Sequence, residues 1–185
     1  ELADILSRLR ADANPMPMSQ VVSALNANWG EDWDRHFDRF SFAPMAAASI
    51  GQVHFGQRKD GRKIAVKIQY PGIRRSIDSD VDNIATLLRV SGLLPTSLDI
   101  KPLLDEAKKQ LHDEADYCRE GACMMQFSSL LADADEFMVP EMHADLTTEN
   151  ILAMTRLEGD AVETLIHLPQ AERDRIVSQL FRLLF

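Results

Sequence analysis

Between positions 44 and 72 the chain reads as a run of small residues, a strand, a tight turn and a second strand, and this restricts the fold more than any other stretch. Ile50 to Gln57 and Arg62 to Tyr70 read as strands, and Lys59-Asp60-Gly61 between them is an Asp-Gly hairpin signal. Along the second strand Ile64, Val66 and Ile68 share one face while Ala65, Lys67 and Gln69 share the other. A lysine between a small and a polar neighbour is either a solvated group on an edge strand, the usual fate of Lys, or a cation aimed at an anionic ligand. Pro71-Gly72 closes the strand as a turn.

The small-residue tract is Pro44-Met45-Ala46-Ala47-Ala48-Ser49-Ile50-Gly51-Gln52-Val53-His54. Side chains this short let backbone N–H groups approach an anion, which is why phosphate loops are built from small residues. Glycine adds free access to positive φ, whereas each alanine keeps a Cβ, so this loop is expected to be stiffer than a glycine-rich one. Ser49 adds a hydroxyl able to donate to a phosphate oxygen, and Gly51 is expected where the backbone bends. Alone, the tract could equally be an alanine-rich turn or a helix start. Set against the kinase loop G-x-G-x-x-G-x-V, however, it reads Ala46-x-Ala48-x-x-Gly51-x-Val53, and Ile64 to Lys67 falls in the V-A-I-K register.

Leu104, Ala107, Leu111, Ala115, Cys118, Ala122 and Met125 recur at steps of three and four and predict one long helix, with Asp99 as N-cap and Pro102 in its first turn. At ~100° per residue, Asp116 and Glu120 share a face roughly opposite this stripe and Glu114 lies at its edge. The three acids therefore cannot all serve one lysine, and the wheel alone favours Glu114 if the stripe packs on the sheet.

Ala46 to His54, Ala65 to Ile73, and Glu114-Ala115-Asp116-Tyr117-Cys118-Arg119-Glu120-Gly121-Ala122 together resemble the UbiB/AarF/ADCK family of atypical protein-kinase-like proteins, and Pro15 to Met18 and Val139-Pro140-Glu141 extend the likeness over most of the chain. The resemblance implies an α+β fold: a protein-kinase-like N-lobe, with an antiparallel sheet, a long αC-type helix and extra helices. It also implies ATP binding with Mg²⁺, ATPase or phosphotransferase behaviour, and a role in ubiquinone (coenzyme Q) biosynthesis at a membrane. By the same likeness Lys67 is a catalytic residue paired with Glu120, with Glu114 as runner-up, and Glu114 with Asp116 forms the family's E-x-D pair. The nucleotide is expected on Ala46, Ala47, Ala48, Ser49, Ile50, Gly51, Val53, Ala65 and Lys67. Met154 would stand at the back of the pocket, and Glu158-Gly159 would be the hinge.

The remaining segments suit that frame. Ser19 to Trp29 reads as a helix stopped by Gly30, Trp33, Phe37 and Phe40 lead into a first strand, Asp78 to about Arg89 reads as a helix with an acidic first turn, and Pro169 opens a last helix. Glu136 to Val139 and Asn150 to Leu157 read as two further strands. The expected division is a helical extension over 1–40, a lobe over 41–159 with a helical insertion at about 73–98, and a following helix over 160–185. Asp78 to Asn83 and Asp145 to Asn150 fit the D-x-x-x-x-N spacing of a catalytic loop but lack H-R-D context and a following D-F-G. The chain opens inside a helical pattern (Leu2, Ile5, Leu6, Leu9) and closes on the apolar face of Ile176 to Phe185. The family's K-x-G-Q motif, catalytic loop and metal ligands are therefore expected outside it, and the segment alone is expected to be inactive.

Composition excludes several alternatives. With 185 residues at 45% hydrophobic the chain can bury a core, and its net charge of -9, from 20 basic and 29 acidic residues, argues against nucleic acid as a partner. Two cysteines without metal spacing point to a reducing compartment, and no stretch has the length of a membrane-spanning helix. The expected place is the cytoplasm or a membrane surface, with ubiquinone-pathway proteins or lipid as partners besides nucleotide. The competing reading is a catalytically silent pseudokinase scaffold that binds a protein or lipid.

Overall fold

The computed structural model describes residues 15–92 and 99–184. The expected helical pattern from Leu2 to Leu9 lies outside them, as does Phe185. Helix α1 (Met18–Trp29) leads through a 3-10 turn (Trp33–His36) into strands β1 (Phe37–Ala48), β2 (Gly51–Arg58) and β3 (Lys63–Gln69). Helices α2 (Ile73–Val90), α3 (Lys101–Glu114) and α4 (Tyr117–Leu130) follow, then β4 (Ile151–Thr155), a second 3-10 turn (Val162–His167) and α5 (Gln170–Leu184). The strands form one antiparallel sheet in the order β1-β2-β3-β4.

Strand alternation decides which side of this sheet is core. Ile64, Val66 and Ile68 have no exposed surface and pack with Ile151 and Ala153 of β4, Phe37, Leu146 and Met16. Val21 and Leu25, one turn apart on α1, close that face, each worth about 1.5–3 kcal/mol of burial. Gly30 ends α1 at φ +84°, a backbone conformation that side chains resist. The Asp-Gly hairpin forms as expected, with Gly61 at φ +87°.

Four expectations about elements need correction. The single long helix is two, because the chain breaks at Ala115-Asp116 and restarts with Asp116 as a side-chain N-cap, its carboxylate accepting from the N–H of Cys118 (3.0 Å) and of Arg119 (3.3 Å). Two partners and burial fix the break: Gln69 Nε2 donates to the Ala115 carbonyl at 2.9 Å, Tyr117 N–H donates to the Glu149 carbonyl at 3.1 Å, and Ala115 is fully buried. Glu136 to Val139 is not a strand. The stretch that pairs with β4 lies beyond Pro140, where Met142 bridges Met154 and His143 N–H donates to the Ala153 carbonyl. Helix α2 begins at Ile73, immediately after Gly72 in the left-handed region, so Asp78 lies inside it instead of opening it. The alanine tract is strand: Ala46, Ala47 and Ala48 pair with Val53, Gln52 and Gly51, leaving only Ser49-Ile50 as the turn.

Candidate nucleotide site

Lys67 lies on the face of β3 opposite the core, between Val53 of β2 and Leu152 of β4 in register, with Ala65 two residues back beside Phe55 and Met154. Its ammonium donates to both carboxylate oxygens of Glu120, at 2.9 and 2.7 Å. The lysine side chain is 14% exposed and the glutamate 36%, so the pair is half-buried and keeps one side toward solvent. Glu120 reaches it because α4 starts at Tyr117, and the restart at Asp116 resets the helical phase on which the wheel relied. Gly121, the next residue, lets α4 approach the sheet: a Cβ there would stand 2.2 Å from Met142 Sδ and 3.4 Å from a Leu152 methyl.

The other acids of the motif have different partners. Glu114, at the C-terminal end of α3, accepts a hydrogen bond from the Ser49 hydroxyl at the tip of the alanine hairpin. Asp116 caps α4, as described. Neither touches Lys67.

Beneath the lysine lies Tyr117, to which the sequence reading assigned no role. Its ring centroid is 4.7 Å from Nζ, within cation–π range, and the residue has no exposed surface. Burial, followed by the negative charges of Glu120 and Glu114, pushes the phenol well above its ordinary pKa, so it stays a neutral donor. Its hydroxyl has no hydrogen-bond partner. No local signal in the sequence marks it, because the contact exists only where β3 lies over the start of α4.

Gly51 is glycine for a reason other than the expected one. It does not have positive φ. A Cβ on it would stand 2.3 Å from the Ile68 carbonyl oxygen and 3.0 Å from the Tyr117 hydroxyl, so the tip of the hairpin rests directly on β3 and α4.

Ala46 and Ala47 are exposed, and Ala48, Ile50 and Val53 are half-buried. Met154 is half-buried beside Ala65, while Glu158 lies in the irregular chain after β4, 3.5 Å from Lys63 Nζ. A cavity of about 330 Å³ lies behind Glu120 against Cys123, Met124 and Phe127, and another of about 380 Å³ lies beside α1; neither has Lys67 or the alanine tract in its walls. Among the described residues no three His, Cys, Asp or Glu side chains come together as a metal-holding group. No helix among them is long and apolar enough to cross a membrane.

Comparison with known proteins supplies the family. The family model described as the ABC1 atypical kinase-like domain matches residues 8–185. The chain is 40% identical over 183 residues to "Atypical kinase COQ8, mitochondrial" of Saccharomyces cerevisiae, covering 99% of this chain and 36% of that protein. It is 41% identical to "Atypical kinase COQ8B, mitochondrial" of Rattus norvegicus, covering 99% of this chain and 35% of that protein. The chain thus spans about a third of the length of these relatives. The solved complex of Rv3197 with erythromycin from Mycobacterium tuberculosis superimposes with a TM-score of 0.74 at 32% identity, over 94% of this chain and 44% of that one. An α+β architecture with a kinase-like neighbour, and a family match over nearly the whole length, lead to one conclusion: the chain belongs to the ABC1 atypical kinase-like family.

Proposed function

We propose that this segment is the nucleotide-holding lobe of an atypical kinase or ATPase that binds ATP with Mg²⁺ and supports ubiquinone biosynthesis at a membrane surface. One observation carries the reading: an ammonium fixed by a bidentate carboxylate contact stands beside the small-residue hairpin, on the sheet face that the core does not use. Backbone N–H groups of the Ala46–Gly51 tract and the Lys67 ammonium would hold phosphate oxygens, with Glu120 as the group that positions Lys67. Val53 and Ala65 present the apolar surface on which a base can lie, with Met154 behind it and the chain through Glu158 leading away. Magnesium, when bound, neutralises phosphate charge, and its ligands and the catalytic base are assigned to the two thirds of the relatives' length that this chain does not cover.

The test is a thermal-shift titration of the full-length protein with Mg-ATP. At a hundred times Kd the ligand should stabilise the fold by about 2.7 kcal/mol, and Lys67→Ala should abolish the shift. The scaffold reading keeps one observation in its favour, since the tip hydroxyl of the hairpin is already bonded to Glu114. It predicts no shift in either protein.

A further inference from the structure

The contact between Ser49 and Glu114 joins the hairpin tip to the end of α3 across 65 residues of chain. We propose that Glu114 is a positioning residue that latches the alanine hairpin, through Ser49, in a posture closed to phosphate. The inference rests on the nucleotide reading for its ligand and deepens it by assigning that site a built-in restraint.

The hairpin needs a tether. Its turn holds only Ser49 and Ile50, and no residue other than glycine has positive φ among the described residues. That excludes the primed turns whose twist matches the flanking strands, so the two strands tend to splay at this tip. The tip is held by a backbone bond, from Tyr70 N–H to the Ile50 carbonyl at 2.9 Å, and by one side-chain bond from outside the hairpin, that of Ser49 to Glu114. The anchor is well placed: Glu114 ends α3 one residue before the break that Gln69, Glu149 and the Asp116 cap fix in position.

The posture is also a seated one. Gly51, which follows the turn and pairs with Ala48, already rests on the Ile68 carbonyl and the Tyr117 hydroxyl, and Ser49 is drawn onto Glu114, so the tip is held from both of its sides. A serine hydroxyl has one proton to donate. Here it goes to a carboxylate, and a phosphate oxygen arriving at the tip must displace that carboxylate while facing its charge. Lys67 does not compete for Glu114, because Glu120 holds it. Glu114 is exposed, so water can solvate it once released, and the latch is cheap to open.

The experiment uses the full-length protein with Glu114→Ala, Ser49→Ala and Lys67→Ala, reading hydrogen exchange over residues 46–52 without nucleotide and Mg-ATP affinity by calorimetry. Both latch variants should exchange faster than wild type over that segment. Glu114→Ala should also bind Mg-ATP about fivefold more tightly at low salt, a gain that shrinks as salt screens the removed charge. Ser49→Ala should not tighten, because the carboxylate stays and the donor is lost. Unchanged exchange in Glu114→Ala, or weaker binding by it, overturns the latch. If neither wild type nor any variant binds Mg-ATP, the nucleotide reading fails by itself. The latch is then decided by exchange alone: acceleration in both variants upholds it and no change ends it.

Discussion

The two faces of the central sheet follow the same alternation and are finished in opposite ways. Toward α1, β3 presents Ile64, Val66 and Ile68, sealed from solvent by an apolar helix stripe. Toward α4 the same strand presents Ala65 and Lys67, and the closing contact is a half-buried ion pair above a tyrosine ring. The first face gains its energy from apolar area removed from water, a non-directional gain roughly proportional to that area. The second depends on a few groups brought from far along the chain, with Lys67 and Glu120 separated by 53 positions. The core face should therefore carry the stability and the other face the ligand.

The sharpest way to break this division is a pair of truncations. Leu25→Ala leaves a cavity under a fully buried side chain and should cost about 2–5 kcal/mol in denaturant unfolding. Lys67→Ala should cost about 1 kcal/mol or less, because Glu120 is 36% exposed and water replaces its partner. Comparable losses from the two would refute the division. Gly51→Ala tests the boundary between the faces. Its Cβ meets a backbone carbonyl that has no rotamer to yield, so a loss of about 1–3 kcal/mol is expected. Lifting the hairpin off its seat should also quicken exchange over 46–52. A neutral effect on both readouts would show that the hairpin is not seated as described.

The same division explains what the sequence disclosed. Ile64, Val66 and Ile68, the Asp-Gly turn and the Gly30 stop follow local rules, and α1, β2, β3 and the last helix could be read from them. The break at Ala115-Asp116 could not, because the apolar steps of three and four run straight across it. Asp116 could be either a helical surface residue or a cap, and the choice depends on Gln69 and Glu149, residues of other elements. Helical-wheel geometry drawn across that break preferred Glu114 for Lys67, whereas the family likeness gave Glu120, the partner in the structure. The extended segment before β4 was placed a few residues early for a related reason: apolar composition marked 136–139, but Pro140 offers no N–H and pairing starts beyond it. Tyr117 carries no such local mark, since its role appears only once β3 lies above α4.

The smallest expected effect concerns the polar residues on the core face. His54 is fully buried there, stacked on Phe40 with ring centroids 5.7 Å apart, and its Nδ1 lies 2.9 Å from the Ser41 carbonyl, so that nitrogen carries the proton and Nε2 is left without a partner. Burial holds its pKa below the ordinary 6.5, with the Ser41 bond acting in the opposite sense. As pH falls through 6.5 the unfolded chain takes up this proton before the folded one does, so stability should decline from there and level off below the folded pKa. His143, also lowered chiefly by burial, adds to the decline in the same direction. His54→Gln retains a donor for the Ser41 carbonyl and removes the titration, so the loss between pH 7.5 and 5.5, measured by urea unfolding, should shrink but not vanish. An identical loss in the variant would mean that the His54 site admits the charged ring, and that the core face is less sealed against charge than its apolar lining implies.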